Sequence, residues 1–398
     1  MKATAIICEY NPLTNGHVKQ MRVAKEETGA DTIICIMGGS FTQRGESAIL
    51  DKYTRAKTAI LSGADIVIEL PTVYAISPAD NFAYGAVKML SSLPFVQCIS
   101  FGSECGDIAL LQKAADFIDD EPNDFKIVLN RYLSDGYSYP KAYSLALSDF
   151  SEKEPAFSDI KDIVDAPNNS LGICYMRAAK KLGFNVAFHT MKRENNDSSF
   201  DLIGEYPSAS AIRRAIRREK FDEVKQYVPE VCFEELLKIK SDGTPLNDLC
   251  LYKMKSVSGY DLEKIYDMDV SGGLHNRLKM AAYDSVTFDE FLEKAKTKKY
   301  TMARIKRICL YNLFDITQKL YNDIDSSPAY YNVLAINKER KDILTELSNI
   351  APNVIVRYAD TNKVGHILKL SLKLDFQAQG TLNLINRTQK FDKTTLFV

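Results

Sequence analysis

The chain has 398 residues, of which 45% are hydrophobic and 26% are charged, and its formal net charge is −1. These values are ordinary for a globular protein and exclude a polycation, so any surface for nucleic acid has to be a local patch. The length predicts two or three domains. We expect a cytoplasmic protein without a membrane segment, because the sequence has neither a leader pattern nor a long apolar run.

The first pattern is a short apolar run from Ala3 to Cys8, which predicts a buried strand. Asn11-Pro12 ends it, because proline has no N–H for a strand ladder and restricts its predecessor. Thr14-Asn15-Gly16-His17 follows, and residues 18–27 have a helical pattern. A helix N-terminus attracts phosphate, the glycine lets a ligand approach the backbone, and the histidine and threonine could donate hydrogen bonds to it. The alternative is a βα unit whose loop happens to contain a histidine.

Further strands alternate with helices along the first half of the chain. Strands are predicted at 31–37, 64–70, 96–101 and 183–190, and helices at 51–62, 81–91, 107–120, 124–134, 137–147 and 167–181. Residues 149–162 are predicted to be a polar connection. This alternation predicts a doubly wound α/β sheet, in which ligands bind beyond the carboxyl ends of the strands.

Loops at those carboxyl ends contain candidate ligand contacts. Gln43 and Arg44 follow the second predicted strand and could face a substrate, although Arg44 could equally pair with Glu46 on the surface. Gly102 follows the fourth predicted strand, where it could let a nucleotide lie on the backbone or could form an ordinary turn. Arg193 follows the fifth predicted strand, and its fork of donors suits a phosphate.

The eight cysteines are scattered and contain no Cys-x-x-Cys pair. Cys8, Cys35, Cys98 and Cys309 lie in apolar runs and are predicted to be buried. No histidine stands beside Cys98 and Cys105, which are the two nearest to each other in sequence. We therefore predict neither a disulfide nor a structural metal site.

The first motif carries a family resemblance. Thr14-x-Gly16-His17 resembles the (Thr/His)-x-Gly-His signature of the nucleotidylyltransferase superfamily, whose members attack the α-phosphate of ATP and release pyrophosphate. The longer string Glu-Tyr-Asn-Pro-x-x-Asn-Gly-His, which starts at Glu9, is similar to that of the bacterial tRNA(Met) cytidine acetate ligase family. That family activates acetate with ATP and acetylates N4 of the wobble cytidine of elongator tRNA(Met). Its members usually have histidine where this chain has Thr14, although threonine occurs there elsewhere in the superfamily.

The resemblance implies roles for particular residues. His17 and Thr14 would be catalytic, and ATP, with Mg²⁺, would bind along the first motif: Ile7, Cys8, Glu9, Tyr10, Asn11, Pro12, Leu13, Thr14, Asn15, Gly16, His17, Val18, Lys19 and Gln20. Further ATP contacts would come from Gly102 in Phe-Gly-Ser-Glu, from Asn168 in Pro-Asn-Asn-x-Leu-Gly, and from Arg193. The residues alone would suggest that Asn168 or Asn169 caps a helix.

Residues 207–216 resemble a second superfamily signature, Ile-Ser-Ser-Thr-x-Ile-Arg. The match implies that Ser208 and Ser210 hold the β- and γ-phosphates at a helix N-terminus and that Arg213 neutralises the leaving pyrophosphate. A capped, basic surface helix is the alternative. We expect a Rossmann-like nucleotidylyltransferase domain over residues 1–219.

The rest of the chain has a different character. Residues 220–348 are mostly helical by pattern, which predicts a helical domain, and residues 349–398 contain strand-like runs at 353–358, 366–374 and 394–398 that predict a small α/β tail. Residues 293–307 form a basic segment, which is rich in lysine and arginine and includes Tyr300. Such a segment suits RNA phosphates and an unstacked base. A solvated helix face would explain the charges equally well, but the resemblance favours tRNA contacts by Lys296, Lys298, Lys299, Arg304 and Arg307.

The patterns and the resemblance together predict an ATP-dependent ligase. It would form acetyl-adenylate and transfer the acetyl group to N4 of the wobble cytidine of elongator tRNA(Met), giving N4-acetylcytidine. One alternative is an adenylyltransferase that acts on a small phosphate-bearing molecule, and another is a non-catalytic RNA-binding protein. No general base for the N4 proton can be identified from residue spacing.

Overall fold

The computed structural model describes residues 1–193, 202–239, 244–388 and 394–398. Within these residues one mixed sheet forms the centre of the fold. Its strands are β1 (Ala3–Cys8), β2 (Thr32–Gly38), β3 (Ile66–Leu70), β4 (Val96–Ser103), β5 (Ala187–Lys192), β6 (Tyr331–Ile336), β7 (Val354–Ile355) and β8 (Leu396–Phe397). The first four strand predictions are confirmed, whereas the fifth strand begins later than predicted.

The strand order is β5-β4-β1-β2-β3-β6-β7, with β8 paired to β6. Strands β1 to β5 pair in parallel with their neighbours, and β6 is antiparallel to β3. The chain runs outward from β1 through β2 and β3, and then returns to build β4 and β5 on the other side of β1. The direction of winding therefore reverses between β1 and β4, and open α/β sheets bind ligands at such a switch point.

Side chains of β2 show why the sheet is covered on both faces. Ile34 and Ile36 belong to one hydrophobic cluster, whereas Ile33, Cys35 and Met37 belong to the cluster on the opposite face. Successive side chains of a strand point to opposite faces, so a continuous apolar run needs cover on both. The predicted doubly wound α/β sheet is confirmed.

The helices are, in chain order, α1 (Asn15–Thr28), α2 (Lys52–Leu61), α3 (Thr72–Ala75), α4 (Ala79–Ser91), α5 (Ile108–Asp119), α6 (Asn123–Ser134), α7 (Tyr139–Lys153), α8 (Ser158–Val164), α9 (Pro167–Leu182), α10 (Ala209–Arg217), α11 (Phe221–Val224), α12 (Glu230–Leu236), α13 (Thr244–Ser256), α14 (Gly259–Glu263), α15 (Leu274–Tyr283), α16 (Phe288–Ala295), α17 (Met302–Leu313), α18 (Gln318–Asp325), α19 (Lys341–Ile350) and α20 (His366–Asn386). Short 3₁₀ turns occupy Pro155–Phe157, Lys225–Tyr227 and Tyr358–Lys363. Each helix of the described ranges is too short or too polar to cross a lipid bilayer.

Three predictions about secondary structure are wrong. Residues 149–162, predicted as a polar connection, contain the end of α7 and most of α8, because Phe150, Ile160 and Ile163 bury their side chains at helical spacing. Residues 366–374, predicted as strand-like, begin α20. Their alternating leucines suggested a strand, but Leu368 and Leu372 are buried on one helix face.

The third error concerns β6, which lies within the segment predicted to be helical. It joins the sheet beside β3, with Val67 opposite Ala335. The predicted strand-like runs near residues 354 and 396 are confirmed as β7 and β8, which both pair with β6. The sheet therefore extends across both predicted domain boundaries, at residues 219 and 348.

The cysteines match their predicted environments with one exception. All eight are free thiols. Cys35, Cys98 and Cys309 are buried as predicted, whereas Cys8, at the carboxyl end of β1, is partly exposed. Cys8 is partly exposed because it lies at the edge of the sheet where ligands bind.

A buried polar network fastens α20 to the sheet. Lys52 of α2 donates to the Glu69 carboxylate of β3 at 2.6 Å, and their side chains are 0% and 1% exposed. Asn332 of β6 donates to the same carboxylate at 2.6 Å, while Tyr330 donates to the Asp375 carboxylate of α20. Buried charges are tolerated only when they are paired and hydrogen-bonded, so this network specifies how these elements meet.

The network makes stability depend on pH. Burial, followed by the charge of Glu69, raises the pKa of Asp375 from 3.8 to about 7. Between these values the folded protein holds a proton that the unfolded chain has released, so rising pH lowers the free energy of unfolding. Asp375→Asn removes this titration and keeps hydrogen-bonding groups for Thr72 and Tyr330. We expect the free energy of unfolding, measured in urea, to fall by about 2 kcal/mol more in the wild type than in the variant between about pH 5 and about pH 8.

Asp120→Asn is the matched control, because the Asp120 side chain is 83% exposed. This variant should keep the pH dependence of the wild type. Parallel stability curves for the wild type and Asp375→Asn would contradict the assignment.

Candidate active site

A cleft of about 740 Å³ lies at the switch point, beyond the carboxyl ends of β1 and β4. It brings together residues that are far apart in sequence. The predicted site residues that line it are Ile7, Cys8, Glu9, Tyr10, Asn11, His17, Gln20, Gly102, Asn168, Arg193, Ser210, Arg213, Lys299, Arg304 and Arg307. A smaller adjoining cavity of about 50 Å³ shares several of these and adds Thr14, Gly16 and Lys19.

The remaining residues of the first motif have structural positions. Leu13 is fully buried and Val18 packs against the same hydrophobic cluster. Asn15 donates from Nδ2 to the Gln226 carbonyl at 2.9 Å. Pro12 is buried after a cis peptide bond. These residues hold the turn in place beside the cleft.

Thr14 and His17 form a reciprocal cap at the start of α1. The Thr14 hydroxyl accepts from the His17 backbone N–H at 3.4 Å, and Nδ1 of His17 accepts from the Thr14 backbone N–H at 3.0 Å. Because Nδ1 is an acceptor, a neutral imidazole carries its proton on Nε2. The Tyr10 ring packs beside the imidazole, with 5.1 Å between ring centroids. The cap therefore makes Nε2–H the donor that His17 can offer to a ligand.

This cap also accounts for threonine at position 14. The Thr14 side chain is buried, and its hydroxyl lies 3.1 Å from Nδ1 of His17. Threonine is a favourable N-cap residue because its hydroxyl satisfies a helix N–H group. Thr14 therefore fixes the orientation of the His17 ring.

A buried arginine holds the strand ends that form the cleft floor. Arg55 of α2 is 1% exposed, and its guanidinium donates to the backbone carbonyls of Glu9, Gly38, Gly39 and Leu50. These carbonyls follow or end β1 and β2, or precede α2, and would otherwise be buried without donors. The sequence analysis assigned this arginine only to a helix, because its partners are distant in sequence.

Glu9 connects the first motif to the loop after β2. Its Oε1 accepts from the Gln43 backbone N–H at 2.8 Å, and burial raises the pKa of Glu9 above its ordinary value. Gln43 and Arg44 both line the cleft, which agrees with the interpretation that they could face a substrate. Glu46 forms an ion pair with Lys306 at 2.9 Å.

Glu104 joins the end of β4 to the start of α9. Its carboxylate accepts from the backbone N–H groups of Asn168 at 3.2 Å and Asn169 at 2.8 Å. A negative charge is favourable there because a helix N-terminus is partly positive. The N-cap residue is Ala166, so the reading of either asparagine as the cap is wrong and Glu104 fills that role.

The two asparagines have different environments. Asn169 is 1% exposed, and its Oδ1 accepts from the backbone N–H groups of Glu104 and Cys105. Asn168 lines the cleft, and its Nδ2 donates to Glu104 at 2.8 Å. Of the two asparagines, Asn168 is therefore the one that lines the cleft.

Gly102 and Arg193 lie together at the ends of β4 and β5. The Arg193 backbone N–H donates to the Ser103 carbonyl at 2.8 Å. A Cβ at Gly102 would lie 3.2 Å from Cγ of Arg193, so glycine lets the arginine side chain cross the strand end. Both residues line the cleft and its adjoining cavity.

The second superfamily signature lies at the start of α10. Ser208 is the N-cap residue, and its hydroxyl accepts from the Ala211 N–H at 3.1 Å. Arg213 donates to the Asn11 carbonyl at 2.6 Å and to the Ser210 hydroxyl at 3.1 Å. Burial lowers the pKa of Arg213 below its ordinary value, yet the guanidinium remains protonated at neutral pH. This arginine brings the second signature against the first.

Three of the five predicted RNA-contacting residues also reach the cleft. Lys299 pairs with Asp269 at 2.7 Å, Arg304 pairs with Asp267 at 3.0 Å, and Arg307 donates to the Gln43 carbonyl at 3.4 Å. The other two residues lie elsewhere on the same segment. Lys296 pairs with Glu293, and the Lys298 ammonium lies 5.3 Å from the centroid of the Tyr137 ring.

The sequence analysis missed several residues of the cleft wall. Asp267, Tyr139 and Tyr175 line it, and Tyr139 is 54% exposed despite its size. None of them belongs to a recognisable motif. Asp267 follows α14, Tyr139 starts α7, and Tyr175 lies within α9, so only the packing of these elements places them together.

Comparisons with known proteins agree with this architecture. A family model described as HIGH nucleotidyl transferase matches residues 1–395. The tRNA(Met) cytidine acetate ligase of Caldanaerobacter subterraneus subsp. tengcongensis is 39% identical over 354 residues, which are 87% of this chain and 86% of that protein. A protein of the same name from Clostridium botulinum (strain Loch Maree / Type A3) is 35% identical over 405 residues, covering 99% of this chain and 97% of that protein.

A solved structure is similar over the whole chain. The crystal structure of Thermotoga maritima TmcAL bound with alpha-thio ATP superimposes with a TM-score of 0.89 at 28% sequence identity, covering 100% of both chains. That protein binds its ATP analogue on the fold described above. The chain therefore belongs to the HIGH nucleotidyl transferase family and, within it, to the tRNA(Met) cytidine acetate ligases.

Proposed function

We propose that this protein activates acetate with ATP and transfers the acetyl group to N4 of the wobble cytidine of elongator tRNA(Met). The observation that carries the proposal is that one cleft contains both the nucleotide motifs and three basic residues of the segment suited to RNA. A plain adenylyltransferase does not need these basic residues. The names of the relatives supply the acceptor, tRNA(Met), and the activated acid, acetate.

The first step joins acetate to AMP. An acetate oxygen attacks the α-phosphorus, the bond from phosphorus to the bridging oxygen of pyrophosphate breaks, and pyrophosphate leaves with the electron pair. Charge on the phosphoryl oxygens is stabilised by the N-terminus of α1 and by Nε2–H of His17. Arg193 and Arg213 supply positive charge in the same cleft, which suits the leaving pyrophosphate.

The second step transfers the acetyl group. N4 of the cytidine attacks the acetyl carbon, the bond from that carbon to the AMP oxygen breaks, and AMP leaves with the electron pair. N4 loses one proton. Because both reactants are held in one cleft, positioning supplies much of the rate and no covalent enzyme intermediate is needed.

Mg²⁺ would bind with the triphosphate. The described part of the chain contains no group of three or more histidine, cysteine or acidic residues placed to hold a metal ion. The nearby carboxylate of Glu9 is occupied by the Gln43 N–H. Phosphate oxygens and water would therefore provide most of the ligands of Mg²⁺, as is usual for this ion. The bound ion would neutralise phosphate charge.

Replacement of His17 tests the first step. In His17→Ala we expect acetate-dependent exchange of pyrophosphate into ATP to fall by about 10²- to 10³-fold, because one preorganised donor to the phosphoryl oxygens is lost. His366→Ala, at an exposed position at the start of α20, is the control and should keep the wild-type rate. Transfer of labelled acetate to unmodified elongator tRNA(Met) is measured on the same samples.

Three outcomes would contradict the proposal. Pyrophosphate release that needs another acceptor and ignores acetate would indicate a plain adenylyltransferase. Binding of tRNA without any turnover would indicate an RNA-binding protein. A His17→Ala variant as active as the wild type would place the chemistry elsewhere.

Replacement of Arg213 tests the second signature. Arg213→Ala should raise the KM for ATP and lower kcat, together reducing kcat/KM by about 10- to 100-fold, since charge-assisted bonds to phosphate are lost. The neighbouring Arg214→Ala is the matched control, because Arg214 is exposed and is not among the residues that line the cleft. Equal kinetics for the two variants, measured by pyrophosphate exchange, would argue against a phosphate role for Arg213.

A further inference from the structure

The steps described above leave the carboxylate of Asp267 unused. Asp267 lines the cleft, and its Oδ1 accepts from Nη2 of Arg304 at 3.0 Å. The other oxygen, Oδ2, is buried and has no hydrogen-bond partner among the residues that the structure describes. A buried acceptor without a donor is unfavourable, which suggests that a ligand supplies the donor.

The backbone at Asp267 is unusual as well. Its φ is +59°, in the left-handed region that non-glycine residues seldom adopt. Tyr10 also has a positive φ, and it lines the cleft as Asp267 does. Strained backbone that surrounding structure maintains is typical of functional sites.

Helix α17 connects Asp267 to the part of the cleft that contains the first motif. Arg304 and Arg307 lie one turn apart on this helix. Arg304 holds the Asp267 carboxylate, while Arg307 donates to the Gln43 carbonyl, and the Gln43 N–H donates to Glu9 in the first motif. Asp267 therefore lies in the part of the cleft wall formed by the basic segment, and α17 links that part to the first motif.

The chemistry of the acceptor matches this carboxylate. The exocyclic amine of cytosine is a donor, and carboxylates are the side chains that accept from it, whereas uracil presents an oxygen at the same position. The amine conjugated with the ring is a weak nucleophile and must lose a proton as it is acylated. A carboxylate beside it can do both tasks, recognition and proton removal.

We propose that Asp267 is a catalytic residue that accepts a hydrogen bond from the N4 amine of the incoming cytidine and removes its proton during acetyl transfer. The N4–C bond forms, the bond from that carbon to the AMP oxygen breaks with the electron pair on AMP, and the N4 proton passes to Oδ2. This assignment rests on the proposed function, because it needs an acetyl-adenylate and a cytidine in the same cleft.

The surroundings of Asp267 bear on its protonation. Burial raises its pKa above the ordinary value, and the charges of Arg304 and Arg307 oppose that rise. A higher pKa makes the carboxylate a stronger base, provided that it is ionised when the cytidine arrives. The titratable and charged groups that face it are Arg304, Arg307 and Tyr311 on α17, and Tyr266 and Asp269 on its own segment.

The test uses Asp267→Asn, which keeps an oxygen for Arg304 but cannot take a proton. Full-length enzyme is loaded with ATP and labelled acetate and mixed with unmodified elongator tRNA(Met) in a single turnover. We expect transfer to slow by about 10²- to 10⁴-fold while acetate-dependent pyrophosphate exchange stays within about twofold of the wild type. The wild-type transfer rate should rise with pH through the pKa of Asp267 and then level, and the variant should lose this rise.

Asp315→Asn is the matched control, because Asp315 also has a left-handed backbone, with φ of +53°, but its exposed side chain pairs with Lys253. It should match the wild type in both assays. Transfer in Asp267→Asn within about threefold of the wild type, with an unchanged pH profile, would overturn the assignment, as would an equal loss of exchange and transfer. A wild type with no acetate-dependent exchange would overturn the proposed function itself and this assignment with it.

Discussion

The cleft depends on the buried guanidinium of Arg55. Parallel strands end with carbonyl groups that have no donor in the next loop. This side chain satisfies three of them, at the ends of β1 and β2, and a fourth carbonyl before α2. A guanidinium offers five N–H donors in a planar fork, which suits a cluster of carbonyls better than an ammonium does. By bonding to both Glu9 and Gly38, Arg55 ties the segment that leads towards α1 to the segment that leads towards Gln43.

The same cleft combines two kinds of charge. On one side of the cleft, Arg193, Arg213 and the N-terminus of α1 supply positive charge. On the side formed by the basic segment, Lys299 pairs with Asp269 and Arg304 pairs with Asp267. This pairing reconciles a basic local segment with a net charge of −1. Phosphates of an RNA would compete with these carboxylates, so its binding should weaken as salt rises.

The two nucleotide motifs were found because their residues match known signatures, and in the structure local hydrogen bonds hold both of them. The cap between Thr14 and His17 spans three residues, and the Ser208 cap spans three as well. By contrast, the first nine residues of α20 were predicted as a strand. Their alternating leucines fit both the strand period and the helix period, and only the packing of the segment distinguishes the two. The strand β6 was missed because its apolar run lies among helices and pairs with β3, far away in sequence.

By itself the sequence determined the alternating strands and helices of the first half, because residue type and spacing decide local structure, and its resemblance to known signatures located the nucleotide motifs. Only the tertiary structure decided which distant groups complete the cleft. Arg307 meets Gln43 across 264 residues, and Asp267 reaches the cleft through α17. Such contacts depend on how buried helices pack over the strand ends, and no local pattern encodes that geometry.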